Sequence, residues 1–221
     1  MSFGRQLKKG LLGEGEISQF LIGQGYSVLP AYEVEIGSGK GPRLFTADGP
    51  LVAPDMLVFD AVKVFWVEAK TKSGWSYFRL TGTAQDGIDT KHWKSYVEVQ
   101  RKLPWDVWVL FLHREAKWDR FAETDATPPP PGLYGSSVPN LETTIHHESP
   151  RHASGMVYWN GGVPLRLLAR YEDGKIVAMR RGSTEPLTSA WAKEVQAAGL
   201  VRPERGKAKH PGQMNLFSSG G

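Results

Sequence analysis

The sequence predicts an α/β fold built on a mixed sheet flanked by helices, and three observations carry that expectation. Ile17, Phe20 and Leu21 recur at helical spacing ahead of Gly25. Two short apolar runs, 56–59 and 62–67, stand on either side of Asp60-Ala61, which is the length of a tight turn between antiparallel strands. Residues 105–112 form a near-continuous apolar run, the pattern of a strand buried on both faces. The order helix, strands, helix, strand is that of an α/β domain.

Taken in order, the first helix is expected at about 14–24 and a strand at 26–29, with the alternating segment 33–36 as its extension. Residues 37–41 are a glycine-rich break whose Gly37-Ser38-Gly39-Lys40 lacks the spacing of a phosphate-binding loop. Residues 43–53 read as an irregular loop or hairpin, and 71–85 as a long loop or small hairpin. Trp93, Tyr96, Val97 and Gln100 share one face of a helix over 88–102 that Pro104 ends, which makes Trp93 and Tyr96 core residues. Beyond residue 113 the pattern weakens. The four prolines 128–131 make 121–150 mostly loop or polyproline-like. Residues 163–171 read as a helix, Asp173-Gly174 as the turn of a short hairpin ending near Met179, and 187–200 as an amphipathic helix. From residue 202 the chain is basic and rich in Gly and Ser, the composition of a disordered tail. The expected organisation is a core over 1–120, a loop-rich extension over 121–200 that packs on it, and a flexible tail over 201–221.

Composition narrows the function. Hydrophobic residues make up 40% of the 221, enough for a real core, and there are eight Trp. Absence of Cys excludes a disulfide framework, a Cys-ligated metal centre and a thiol nucleophile. No apolar run approaches the roughly 20 residues of a membrane span, and residues 1–10 lack the apolar stretch of a signal peptide. The expectation is a soluble, cytoplasmic protein with no membrane partner. A formal net charge of +4 and a pI near 9.2 are compatible with a nucleic-acid partner.

The chemistry lies in Pro54-Asp55, followed after twelve residues by Glu68-Ala69-Lys70. Asp55 begins one expected strand, while Glu68 and Lys70 end the next. Residues two apart on a strand share a face, so Glu68 and Lys70 project together and Ala69 faces the core. A tight antiparallel turn then sets Asp55 beside them. Two adjacent carboxylates repel, and a divalent cation relieves that repulsion. Mg²⁺ suits such oxygen ligands and keeps several waters, one of which can serve as nucleophile while Lys70 orients it or stabilises charge on a phosphate. The backbone carbonyl of Ala69 is available as a third ligand.

This pattern resembles the PD-(D/E)XK nuclease superfamily over roughly residues 10–113. Members similar to Holliday-junction resolvases also carry a glutamate on the first helix, ahead of an aromatic at the first strand. Glu14, upstream of Tyr26, matches it; Glu16, two residues on, is the alternative. The resemblance implies a restriction-endonuclease-like core and Mg²⁺- or Mn²⁺-dependent hydrolysis of DNA phosphodiesters, with Asp55, Glu68, Lys70 and Glu14 as the site. Basic and aromatic residues interleave after the motif, and Lys72, Trp75, Arg79, Lys91 and His92, with Tyr77 and Lys94, are the expected DNA path.

In the tail, Gln213-Met214-Asn215-Leu216-Phe217 resembles the bacterial sliding-clamp-binding peptide, with Gln213, Met214, Leu216 and Phe217 at its contact positions. The resemblance implies a tether to a sliding clamp and work in replication, repair or recombination, in a bacterial or bacteriophage host. Two other readings stand beside this one: a restriction-type or junction-resolving nuclease that acts alone as a homodimer, and a non-catalytic DNA-binding or clamp-adaptor module on the same fold. His146, His147 and His152 with Glu148 lack strong zinc-ligand spacing and read as solvated loop residues.

Overall fold

The computed structural model describes residues 3–31, 41–150, 154–162 and 164–179. The expected segment 33–36, His152, the helix at 187–200 and the clamp-like residues Gln213, Met214, Leu216 and Phe217 lie outside them.

Helix α1 (Phe3–Gly23) begins well before the expected start but buries the expected stripe, Ile17, Phe20 and Leu21. Strand β1 (Ser27–Pro30) follows, then a hairpin of β2 (Arg43–Thr46) and β3 (Gly49–Val52). Strands β4 (Met56–Phe59) and β5 (Val64–Lys72) pair antiparallel across the turn at Asp60, whose carboxylate accepts from the backbone N–H groups of Val62 and Lys63. The 71–85 region forms β6 (Ser76–Phe78) and the start of β7 (Thr83–Asp89). Helix α2 (Thr90–Lys102) is capped by Asp89, which accepts from the Lys91 N–H at 2.9 Å. Strand β8 (Asp106–His113) is buried along its length after the first residue, as a two-sided strand should be.

The described residues beyond 113 hold more regular structure than their sequence suggests. Residues 121–131 are loop, but β9 (Gly132–Ser137), α3 (Val138–Thr143) and β10 (His147–Ser149) then follow within a stretch read as mostly loop. Strand β11 (Met156–Asn160) comes next. The segment read as a helix over 163–171 is instead β12 (Arg166–Glu172), joined by the expected Asp173-Gly174 turn to β13 (Lys175–Ala178). The register of β12 against β9 shifts between Leu167 and Ala169. That bulge sends Leu167 to one core and both Leu168 and Ala169 to the other, which breaks the two-residue alternation and mimics helical spacing.

Among the described residues, seven strands form the central sheet in the order β1-β4-β5-β8-β9-β12-β13. Only β5 and β8 run parallel; every other pair is antiparallel. The result is the expected α/β fold, a mixed sheet flanked by helices. Alternation along β8 divides the core. Trp108, Leu110 and Leu112 pack with Ile17, Phe20 and Leu21 of α1, while Val107, Val109 and Phe111 pack with Trp93, Tyr96 and Val97 of α2. A second sheet, β10-β11-β7-β6, adds Val157 and Trp159 to the α2 side.

Candidate active site

The site forms where β4 begins, beside the middle of β5, which runs on past Glu68 and Lys70 to Lys72 and so is longer than its apolar run suggests. Met56 pairs with Val67, so Asp55 falls beside Glu68, and Asp55 Oδ2 accepts from the Ala69 N–H at 2.7 Å. Val67 and Ala69 point into the α1-side core, which turns Glu68 and Lys70 to the α2 side. There the Lys70 ammonium is ion-paired with Glu68 Oε1. Glu68 is 1% exposed, and beyond Lys70 its carboxylate faces the buried Tyr96 phenol. A buried carboxylate crowded by a second one is costly unless something positive binds between them.

The electrostatics match this crowding. Burial pushes the Asp55 carboxyl well above the usual range, the neighbouring Glu68 charge adds to it, and Lys70 opposes it. Glu14 is raised in the same way, by burial first and then by Glu68. Burial favours loss of the Lys70 proton, yet Glu68 and Asp55 more than offset it, so the ammonium is held charged.

The structure separates the two helix glutamates. Glu14 feels Glu68 and Lys70 and lines the groove outside the site together with Ala69 and Lys70. Glu16 turns away and takes both Arg114 Nε and Nη2, at 3.1 and 3.0 Å. Gly13 allows the helix so close: a Cβ there would lie 1.7 Å from Thr71 Oγ1 on β5. Among the described residues, no three His, Asp or Glu side chains converge to hold a metal ion. The available set is therefore Asp55 and Glu68 at the centre, with Glu14 standing off. That suits a cation that keeps most of its waters, as Mg²⁺ does with one or two carboxylates.

The residues expected along a DNA path divide. Trp75 is a correction: it is fully buried, stacked on His113 at 4.1 Å and met edge-on by Tyr134, so it cannot face a ligand. Lys72 points inward as well, its ammonium donating to the Gly87 carbonyl at 2.7 Å and lying 3.6 Å from Asp86. Arg79 is exposed and paired with Glu123 at 2.7 Å, and Lys91 and Lys94 are exposed on α2. Tyr77 packs edge-on against Trp118. His92 is half-buried beside the site, its pKa lowered by burial and then by Lys70. Trp93 and Tyr96 are core, as expected, but Tyr96 also faces Glu68, and burial followed by that charge drives its phenol pKa upward.

Sequence reasoning missed a buried polar group next to the site. His113 Nε2 and Asp86 Oδ2 are 2.6 Å apart, at 1% and 3% exposure, with Lys72 on the other carboxylate oxygen. Asp86 and His113 lie on different strands far apart in sequence, and no local pattern joins them. His146 and His147 contact each other through their Nδ1 atoms at 2.8 Å.

No family model and no curated protein matches the chain. Among solved structures, the chain is similar to the Holliday junction resolvase Hjc of the archaeal hyperthermophile Archaeoglobus fulgidus, at 10% sequence identity and a TM-score of 0.39, over 69% of this chain and 88% of that one.

Proposed function

We propose that the chain is a divalent-metal-dependent DNA endonuclease with its site at Asp55, Glu68 and Lys70, and with Glu14 as an outlying carboxylate. One observation carries the reading: two carboxylates and a lysine meet where β4 begins beside the middle of β5, and the Glu68 carboxylate is buried there. The pattern is the one the PD-(D/E)XK resemblance implies. Asp55, Glu68 and the Ala69 carbonyl would hold Mg²⁺ or Mn²⁺, and Glu14 would act through a bound water. When bound, such a cation polarises a phosphate oxygen and lowers the pKa of a coordinated water.

The chain's own groups supply the rest. Asp55 is fixed by the Ala69 N–H and Glu68 by Lys70, so both carboxylates are set before any ligand arrives. Glu68 and Asp55 favour the ammonium form of Lys70, which fits a donor to the attacking water or to the developing phosphate charge. Lys91 and Lys94, exposed on α2, would neutralise phosphates of bound DNA. The Gln213–Phe217 segment would tether the enzyme to a sliding clamp and raise its local concentration at DNA without altering the chemistry. Replication, repair or recombination is the setting this reading implies.

The test is a panel of labelled DNAs, duplex, flap, single-stranded and four-way, incubated with Mn²⁺, Mg²⁺ or EDTA. Wild type is expected to cut in the presence of metal, and Lys70→Ala to lose roughly 10²–10³-fold in rate, the usual cost of one transition-state donor. Equal cutting by both proteins would place the chemistry elsewhere. Binding without any cutting would favour the adaptor reading.

A further inference from the structure

The groove outside the carboxylates is longer than hydrolysis of one bond requires. A depression of about 880 Å³, lined by Glu14, Ala69 and Lys70 at one end, is joined to a second of about 560 Å³ that reaches Phe78 and His147. Ser76, Asp119, Phe121 and Tyr158 line both. Volumes of roughly 300–1,000 Å³ fit small-molecule-sized ligands, which here means a few nucleotides and not a duplex.

The far wall is aromatic and built from stacked rings. Phe78 stacks on His147 at 4.6 Å, and His147 on Tyr158 at 4.8 Å and 11°. Tyr158 sits opposite Gly87 in the sheet, where a Cβ would come within 2.7 Å of its ring. The lip between the two depressions is the loop after β8. Its apex carries Phe121, 70% exposed, with the Arg120 guanidinium 4.6 Å from the ring centre.

That exposure is held in place. The Trp75 N–H donates to the Lys117 carbonyl at 2.9 Å, and the Asp119 N–H donates to Trp75 at 2.7 Å. Trp118 Nε1 donates to the Ala126 carbonyl at 2.6 Å. Asp119, the acid nearest the apex, is turned inward onto the Ser76 hydroxyl and the Phe121 N–H. A braced loop thus presents an aromatic ring and a cation at the rim, with further rings beyond. Flat rings interleaved with cations are how proteins hold unpaired bases.

We infer that this groove binds an unpaired DNA strand running from the carboxylate site past Phe121, with Phe121 stacking on a base and Arg120 meeting the adjoining phosphate. The inference deepens the nuclease reading by naming a substrate that is single-stranded on one side of the cut.

The test reads binding in EDTA, where nothing is cleaved. Fluorescence anisotropy would follow a labelled oligo-dT of about 12 nucleotides, within the usual site size of such grooves, and the matching duplex. Phe121 is exposed, so its replacement leaves the core alone. Phe121→Ala is expected to weaken single-strand binding about ten-fold, Phe121→Trp to retain it, and neither to change duplex binding. A 2-aminopurine base in the oligonucleotide should be quenched by wild type and not by Phe121→Ala. Wild-type affinity in Phe121→Ala, or equal loss for duplex and single strand, would overturn the inference. So would a loss confined to self-association, seen as a wild-type dimer that Phe121→Ala converts to monomer with oligo-dT binding unchanged. The two readings fail separately: strand binding without cleavage in Mn²⁺ sinks the nuclease, and metal-dependent cleavage with Phe121 indifferent sinks the groove.

Discussion

Asp55→Asn tests the electrostatic argument directly. The Asp55 carboxylate accepts the Ala69 N–H at 2.7 Å, and the asparagine carbonyl can take the same bond, so the local scaffold survives. What disappears is a charge that burial and Glu68 make unfavourable. A carboxyl raised in the folded state binds its proton more tightly there than in the unfolded chain. Stability is therefore lost as pH rises from the ordinary carboxylate range through the raised value, and wild type without metal should be weaker at about pH 8 than at about pH 5. Asp55→Asn should flatten that loss. Relieving a functional site of this kind is worth about 0.5–2 kcal/mol, a rise in Tm of roughly 1–8 °C for a chain of this size. Metal acts in the opposite sense. Mn²⁺ at about 100 times its Kd would stabilise wild type by about 2.7 kcal/mol, or roughly 5–10 °C, and the mutant by little. Thermal melts by circular dichroism, at both pH values and with Mn²⁺ or EDTA, decide it. A mutant that melts below wild type in EDTA at the higher pH, or one that Mn²⁺ stabilises equally, would refute the account.

Two further predictions concern neighbouring residues. Glu14→Gln should reduce metal-dependent cleavage about 10- to 100-fold, as loss of an outer carboxylate does. Glu16→Gln, which breaks only the partly exposed pair with Arg114, should leave the rate intact and cost under about 1 kcal/mol in a denaturant melt; the reverse ranking would exchange their roles. Trp75→Ala should destabilise the fold by about 3–5 kcal/mol without changing the DNA affinity of the folded protein, measured by anisotropy below the melting point.

The parts of the fold legible in the sequence are those whose packing is local. The β4–β5 hairpin could be read because its two apolar runs and turn lie within seventeen residues, 56–72, and that hairpin alone juxtaposes Asp55 with Glu68 and Lys70. Strand β8 could be read because both its faces are buried. Strand β9 could not, since Gly132, Gly135 and Ser136 give it no apolar rhythm and its place comes from pairing with β8 and β12. The bulge in β12 disguised a strand as a helix.

Lys72 shows why site chemistry is harder to read than site geometry. Glu68, Lys70 and Lys72 follow each other at two-residue steps on one face of β5, and by periodicity alone both lysines belong to the ligand side. The difference comes from β7. Asp86 and the Gly87 carbonyl meet Lys72 and draw its ammonium into the fold, where burial lowers its pKa against the pull of Asp86. Lys70 has no such partner on β7 and is held by Glu68. The same strand thus sets one lysine over the carboxylates and ties the next into the groove floor through Asp86 and the Gly87 carbonyl, and Asp86 is in turn held by His113 under the stacked Trp75. The sequence that follows the motif was read as a path for DNA; much of it is the support that keeps Lys70 the cation at the site. The surface left for a strand lies further on, at the braced loop of Arg120 and Phe121, which no motif in the sequence marks.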